Sequence, residues 1–269
     1  GATPVFADID PATYQMDPAS LERVITPNTK AVIPVHMFGH PAPMTEIEAI
    51  CKERGIRIIE DVAQAPLARI DGRLVGTIGD IACYSFYPSK NLGCYGDGGA
   101  LFSDDAARAA LWRSLRGHGT GDAKYDVVRI GMNSRLDTLQ AAVLLAKLPG
   151  FAAEIKAREK VAQYYDQHLP AVAVRPGRMA GSDSAWAQYT IQVADRDSLA
   201  AALREDGIPT AIHYPRPLHL QPAYLRYGDG PGSLPVSEKL AAHVLSLPMH
   251  PDMDEATSRL ICEAIARHL

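Results

Sequence analysis

The sequence predicts an α/β fold, with a mostly parallel central sheet flanked by helices and a smaller α+β domain at the C-terminal end. Three observations carry that prediction. Up to about residue 105, short β-rich runs alternate with helical stretches, the rhythm of strand–helix–strand units that cover a parallel sheet. The run 56–60 (IRIIE) reads as a buried strand with an acid, Asp61, at its carboxyl end. Beyond Pro170 the composition shifts after a long helical stretch. This divides the chain into a large domain, 1–150, and a connecting helix with a small domain, 151–269.

The elements follow in order. Residues 4–9 read as a strand. Asp17-Pro18 opens a helix, an N-cap acid followed by proline at the first helical position. Residues 31–36 (AVIPVH) form a strand whose proline marks a bend or bulge. Residues 44–54 are an amphipathic helix ended by Gly55, and 56–60 the buried strand after it. Residues 81–86 and 100–102 are strand-like on either side of a glycine-rich loop. Helices are expected over 104–116 and 134–169, the second broken near Pro149-Gly150. In the last third, 187–194 and 210–214 read as strands, and 196–205, 236–245 and 254–268 as helices.

Bulk properties narrow the function. The 269 residues carry 27 Lys and Arg against 31 Asp and Glu, a formal net charge of −4. No block of like charge runs along the chain, which argues against nucleic acid or an anionic membrane surface as partner. Cysteines at 51, 83, 94 and 262 show no C-x-x-C spacing, so reduced thiols are expected and neither a disulfide framework nor a metal site. No run reads as long and apolar enough to span a bilayer, and no basic–apolar leader is found, so a cytoplasmic location is expected. The chain opens without Met on a turn and a strand, like the middle of a longer protein.

Two segments carry candidate chemistry. One is Glu60-Asp61-Val62-Ala63-Gln64-Ala65 at the end of the buried strand. The other is Tyr84-Ser85-Phe86-Tyr87-Pro88-Ser89-Lys90-Asn91-Leu92-Gly93, continued by Tyr95-Gly96-Asp97-Gly98-Gly99. A lone lysine in a loop flanked by proline and glycine suits an amine nucleophile, whose pKa a dry pocket lowers. A strand-end acid suits a protonated pyridine nitrogen. From spacing alone the plainer readings stand beside these: Asp61 as a helix cap or loop ion pair, Lys90 as a solvated side chain. His36 reads equally as pocket lining or as a structural hydrogen bond, and Trp186, Tyr189, Tyr164 and Tyr165 read as packing.

The motifs VFADIDPATYQMDP, EDVAQAPLA, SFYPSKNLGCYGDGGA and GMNSRLDTLQAA, in this order, resemble the DegT/DnrJ/EryC1/StrS family of sugar aminotransferases. The resemblance covers essentially the whole chain. It implies a fold-type I, pyridoxal-phosphate-dependent enzyme acting on a nucleotide-linked keto sugar with glutamate as amino donor. Lys90 then resembles the Schiff-base lysine, Asp61 the partner of the pyridine nitrogen, Gln64 the residue against the ring near its phenolic oxygen, and Ser85 a phosphate ligand. Asn133 resembles the residue that reaches the phosphate from a second subunit, which implies a homodimer with shared sites. His213 and Tyr214 resemble sugar contacts, and Arg135 is placed to enter the partner's site toward a sugar carboxylate. The resemblance also implies roughly a hundred further residues ahead of the strand at Pro4. Pro66 departs from the His that many members carry, which bears on the substrate.

Within the family, the C-terminal motifs are most similar to the branch that aminates C3 of a UDP-linked 2-acetamido-3-keto uronic acid for bacterial surface polysaccharide. A dTDP-linked 3-keto or 4-keto deoxysugar is the alternative. A dehydratase relative would carry His in place of Lys90. A regulatory protein that keeps the fold without chemistry is the rival from another class.

Overall fold

A computed structural model describes residues 1–123 and 125–269. Helix α1 (Pro18–Val24) begins where expected: the Asp17 carboxylate accepts from the Ala19 and Ser20 N–H groups, satisfying donors that the first turn leaves unpaired. Strand β1 is only Ala31–Val32. Pro34 has no N–H to continue the ladder, yet its carbonyl still accepts from Asp61 N at 2.9 Å, and Val35 resumes as an isolated bridge to Asp61. Helix α2 (Met44–Arg54) stops at Gly55, which takes the left-handed conformation that a side chain resists. Strand β2 (Arg57–Asp61) follows. The short strands β3 (Arg69–Ile70) and β4 (Arg73–Leu74) pair as a hairpin.

Strands β5 (Ile81–Ser85) and β6 (Gly99–Phe102) complete a four-stranded sheet of order β1-β2-β5-β6. The first three strands are parallel, and β6 runs antiparallel to β5. Helix α3 (Ala106–Arg116) is capped by Asp105. Helix α4 (Thr138–His168) runs 31 residues without the expected break, with Pro149 inside it. Leu145, whose carbonyl the proline leaves unbonded, is 69% exposed, so solvent can take up that acceptor. Then come β7 (Ser182–Asp183), β8 (Tyr189–Gln192), α5 (Arg196–Glu205), α6 (Pro235–His243), β9 (Val244–Leu247) and α7 (Glu255–His268).

Three further expectations are corrected. Residues 4–9 join no sheet and form one bridge, Ile9 to Met16. Asp8 is instead a hub: its N–H donates to Ser20 Oγ, and its carboxylate accepts from Val236 N, Ser237 N and Ser237 Oγ at the start of α6. Residues 210–214 make only the bridge Ala211–Ser246, since Pro209 and Pro215 lack the N–H that a ladder needs. The helix expected over 236–245 ends at His243, because the buried run VLSL pairs with β8. A short apolar run at a helix end does not distinguish the two states.

Two main cores result. Met44, Ile47, Ile58, Val62 and Ala82 bind α2 to the four-stranded sheet. Tyr165, Trp186, Tyr189, Leu245 and Ile265 bind the second half of α4 to β8, β9 and α7. Large side chains this deeply buried each contribute roughly 1.5–3 kcal/mol. Contrary to the sequence expectation, α4 is long and apolar enough to cross a membrane by length and composition, the one such helix among the described residues. Its later turns carry the buried Arg158, Val161, Ala162 and Tyr165 into the second core, while Leu139 and Leu145 near its start are exposed. All four cysteines are free thiols.

Candidate active site

In an open α/β sheet ligands bind beyond the carboxyl ends of the strands. Strands β2 and β5 are parallel neighbours with Asp61 opposite Cys83, so Asp61 and Ser85 end adjacent strands at the same edge. Asp61 is the last residue of β2, so the strand ends one residue later than the sequence suggests. Its peptide is pinned on both sides, through Pro34 O and through His36 N, which donates to Asp61 O at 3.1 Å. Oδ1 accepts from Ala63 N at 3.0 Å. Among the described residues Oδ2 has no hydrogen-bond partner.

Lys90 lies in the loop that leaves β5. The loop folds back on itself through Lys90 N to Tyr87 O at 2.8 Å and Cys94 N to Phe86 O at 2.9 Å. Gly93 makes this turn possible, since a Cβ there would lie 2.6 Å from Pro88 O. Asn91 Nδ2 donates to Ala185 O at 2.7 Å and ties the loop to the chain leading into the second core. Lys90 is half-buried. Burial pushes its ammonium below the ordinary lysine range, and the Asp61 carboxylate works against that shift. Cys83 shares the field: burial, and then Asp61, push its thiol up.

Gln64 is buried, and its Oε1 accepts from Phe38 N at 2.6 Å. Phe38 offers that N–H from a left-handed conformation, φ 62°. The amide is thereby oriented, and among the described residues its Nε2 group has no partner. Ser85 is half-buried, with its Oγ accepting from Tyr87 N at 3.3 Å. His213 comes to the same place from the far end of the chain. Burial lowers its pKa first, and the Lys90 charge lowers it further. Tyr214 is half exposed, and both residues line a cavity of about 460 Å³ with Tyr14, Met37, Phe38 and Leu240.

The structure thus brings Asp61, Gln64, Ser85, Lys90 and His213 toward one edge of the sheet. It does not bring Asn133 and Arg135 to them. Both are exposed on the segment before α4, where Arg135 lines a separate cavity with Arg113, Arg116 and Asp97. No hydrogen bond or ion pair among the described residues joins either to Asp61, Gln64, Ser85 or Lys90.

One structural group was missed. Glu60 is fully buried, and its carboxylate accepts from Gly76 N (2.7 Å), Ile78 N (2.8 Å), Gly79 N (2.6 Å) and His36 Nε2 (3.1 Å). His36 Nδ1 accepts from Ala42 N at 2.9 Å, which places the imidazole proton on Nε2, toward Glu60. His36 is therefore a structural hydrogen bond and not pocket lining. An acid inside the otherwise apolar run IIE was the available signal. Burial alone would raise the Glu60 pKa, but the bonds from His36, Gly79 and Gly76 outweigh it and hold the carboxyl below its usual range.

Comparison with known proteins identifies the family. The model of the DegT/DnrJ/EryC1/StrS aminotransferase family matches residues 1–266. The chain is 48% identical over 266 residues to a Pseudomonas aeruginosa protein named UDP-2-acetamido-2-deoxy-3-oxo-D-glucuronate aminotransferase, covering 98% of this chain and 73% of that one. It is 44% identical to an Acidithiobacillus ferrooxidans protein named UDP-N-acetyl-3-dehydro-alpha-D-glucosamine 3-aminotransferase, covering 100% and 72%. The crystal structure of a Brucella abortus family member superposes with a TM-score of 0.92 at 47% identity, covering 100% of this chain and 74% of that one. The chain belongs to the DegT/DnrJ/EryC1/StrS family of pyridoxal-phosphate-dependent aminotransferases.

Proposed function

We propose that the protein moves an amino group from glutamate to C3 of a UDP-linked 2-acetamido-3-keto uronic acid, with Lys90 as its catalytic residue. The observation that carries the assignment of Lys90 is an amine made less basic by burial within the field of a strand-end carboxylate, Asp61. The donor set fits pyridoxal phosphate. The free Oδ2 of Asp61 suits a protonated ring nitrogen, the oriented Nε2 of Gln64 suits the phenolic oxygen, and the Ser85 hydroxyl suits a phosphate oxygen. When bound, the cofactor supplies an electron sink for the carbon that loses its proton.

The chain's own part is positioning and proton transfer. Asp61 is held by its two backbone hydrogen bonds so that its carboxylate stays aimed while charge moves. Lys90 would hold the cofactor covalently. Its Nζ, when uncharged, would take the proton from the donor's α-carbon. Asn133 and Arg135 would reach the site of a second copy of the chain. In support, Ile130, Met132, Leu139 and Leu145 on the same stretch are 97%, 61%, 80% and 69% exposed, apolar side chains that a second copy of the chain would cover. The uronate is favoured over a neutral sugar by the greater identity to the glucuronate-named relative and by the fork of Arg135, which suits a carboxylate. Such a product would serve bacterial surface polysaccharide.

The test offers the cofactor-loaded protein the 3-keto uronate and its neutral 3-keto hexosamine counterpart. The parent should prefer the uronate, and Arg135→Ala should lose most of that preference. A charge-assisted contact worth about 1.5–3 kcal/mol corresponds to roughly 10- to 150-fold in kcat/KM. Equal use of both sugars by the parent would remove the uronate and leave the aminotransferase.

A further inference from the structure

We infer that Thr190 and Ser246 are positioning residues that hold His213 in its Nε2–H tautomer, so that the imidazole meets the substrate as a hydrogen-bond donor. What His213 meets rests on the aminotransferase reading; the tautomer does not.

The inference begins with register. Strands β8 and β9 are antiparallel, with Thr190 directly opposite Ser246, and opposed residues of such a pair share a face. Their hydroxyls lie 2.8 Å apart, in side chains 1% and 4% exposed. Ser246 also fixes the segment that carries His213. Ala211 N donates to Ser246 O at 3.1 Å, and Ser246 N donates to Ala211 O at 2.8 Å. Two residues on, His213 Nδ1 lies 2.9 Å from Ser246 Oγ. One serine therefore sets both the backbone position and the ring orientation of His213.

Counting protons fixes the direction of the chain. Each hydroxyl has one proton to give. Among the described residues Thr190 Oγ1 has Ser246 Oγ as its one hydrogen-bond partner, so the threonine proton points there. The serine proton must then find another acceptor, and His213 Nδ1 is the one in reach. Nδ1 thus carries a lone pair, and a neutral ring keeps its proton on Nε2. The reverse order, from Nδ1–H to serine to threonine, would leave the threonine proton without an acceptor in a site closed to water, an arrangement that buried polar groups avoid.

The far nitrogen completes the picture. The two ring nitrogens point in divergent directions, so with Nδ1 turned inward Nε2 faces away from Ser246, and no hydrogen bond among the described residues engages it. Burial, and after it the Lys90 charge where that lysine is free, opposes a second proton on the ring, and the half-exposed Tyr214 lies beside it with ring centroids 5.6 Å apart. A neutral imidazole with an outward N–H binds an oxygen of the substrate and does not compete with Lys90 for protons. Nothing in the IHYPRP motif signals this, because the residues that decide it lie in other strands.

The first test reads the tautomer in the cofactor-loaded protein labelled with ¹⁵N-histidine, the His213 signals being assigned by their loss in His213→Gln. The expected spectrum at pH 8 shows a lone-pair Nδ1 and a protonated Nε2. A protonated Nδ1, or an imidazolium, overturns the inference whatever reaction the protein catalyses. The second test is kinetic. Ser246→Ala should mix the two tautomers and lower kcat/KM for the keto sugar by about tenfold, the size of one lost hydrogen bond, while the half-reaction with glutamate changes much less. Ser246→Thr, which keeps the hydroxyl, should restore the parental spectrum and rate. Parental His213 signals and sugar kinetics in Ser246→Ala would show the serine to be packing only. If the parent turns over no keto sugar at all, the function proposed above fails, while the spectrum still decides the tautomer.

Discussion

Replacing Glu60 by glutamine should destabilise the fold by about 2–6 kcal/mol, a figure that follows from counting donors. Oε1 of Glu60 accepts from Ile78 N and Gly79 N, and Oε2 accepts from Gly76 N and His36 Nε2. Glutamine is the same size but offers one acceptor oxygen and one NH₂ group. Whichever way it turns, two buried N–H donors face another donor. Backbone amides have no way to adapt, and His36 is fixed as a donor because its Nδ1 already accepts from Ala42 N. Each buried group left unsatisfied costs about 1–3 kcal/mol, against a whole-domain stability of roughly 5–15 kcal/mol. Urea unfolding at pH 7 should show a lower midpoint with an unchanged slope. The pH dependence has a definite sign. Since Glu60 is held below its ordinary pKa, its stabilisation is present above the unfolded-state value and fades as the pH falls through the folded-state value. The gap between parent and variant should therefore narrow in acid. A loss under about 1 kcal/mol at pH 7, or a gap that widens in acid, would refute the reasoning.

Two substitutions test the site itself. Lys90→Ala should abolish turnover and the visible absorbance of the lysine-bound cofactor while leaving the circular dichroism and the unfolding midpoint close to parental; near-normal transamination would sink the assignment. Asp61→Asn should slow both half-reactions by about tenfold or more, since a neutral amide does not hold a ring nitrogen protonated, and rates within a few-fold of the parent would make Asp61 merely structural.

Much of the fold was legible because its signals are local. Asp17-Pro18 at a helix start, Gly55 at a helix end and the strands holding Asp61 and Ser85 each declare themselves within a few residues. The errors arose where a distant partner decides the conformation. Residues 4–9 have strand chemistry, but Asp8 is engaged by Ser20 and by the start of α6, more than 220 residues away. The run 244–247 continues a helical pattern and becomes a strand because β8 lies beside it. Pro149 reads as a breaker, yet α4 carries it on an exposed face. The same division holds in the site. Lys90 and Asp61 stand out by type and setting, whereas the Glu60–His36 pair and the Thr190–Ser246–His213 chain join residues 24 to 56 positions apart and leave no local mark.

Asn133 and Arg135 each belong to the site by resemblance, and each lies apart from Lys90 in the fold. If a second copy supplies them, Lys90 and Asn133 of any one site come from different chains, and mixing variants reveals it. Lys90→Ala and Asn133→Ala should each be nearly inactive alone. In a mixed dimer, the site holding the intact Lys90 belongs to the Asn133→Ala chain, and it receives an intact Asn133 from the Lys90→Ala chain. The other site of that dimer lacks both. Random reassembly of equal amounts makes half the dimers mixed, each with one working site of two, so about a quarter of parental activity should return for a two-fold assembly. Were Lys90 and Asn133 required from the same chain, every mixed dimer would be dead and no activity would return. The assay needs only unfolding or dilution, remixing and a rate measurement. Persistent inactivity of the mixture, with mixed dimers verified by mass spectrometry, would refute the shared site and leave the roles of Lys90 and Asp61 untouched.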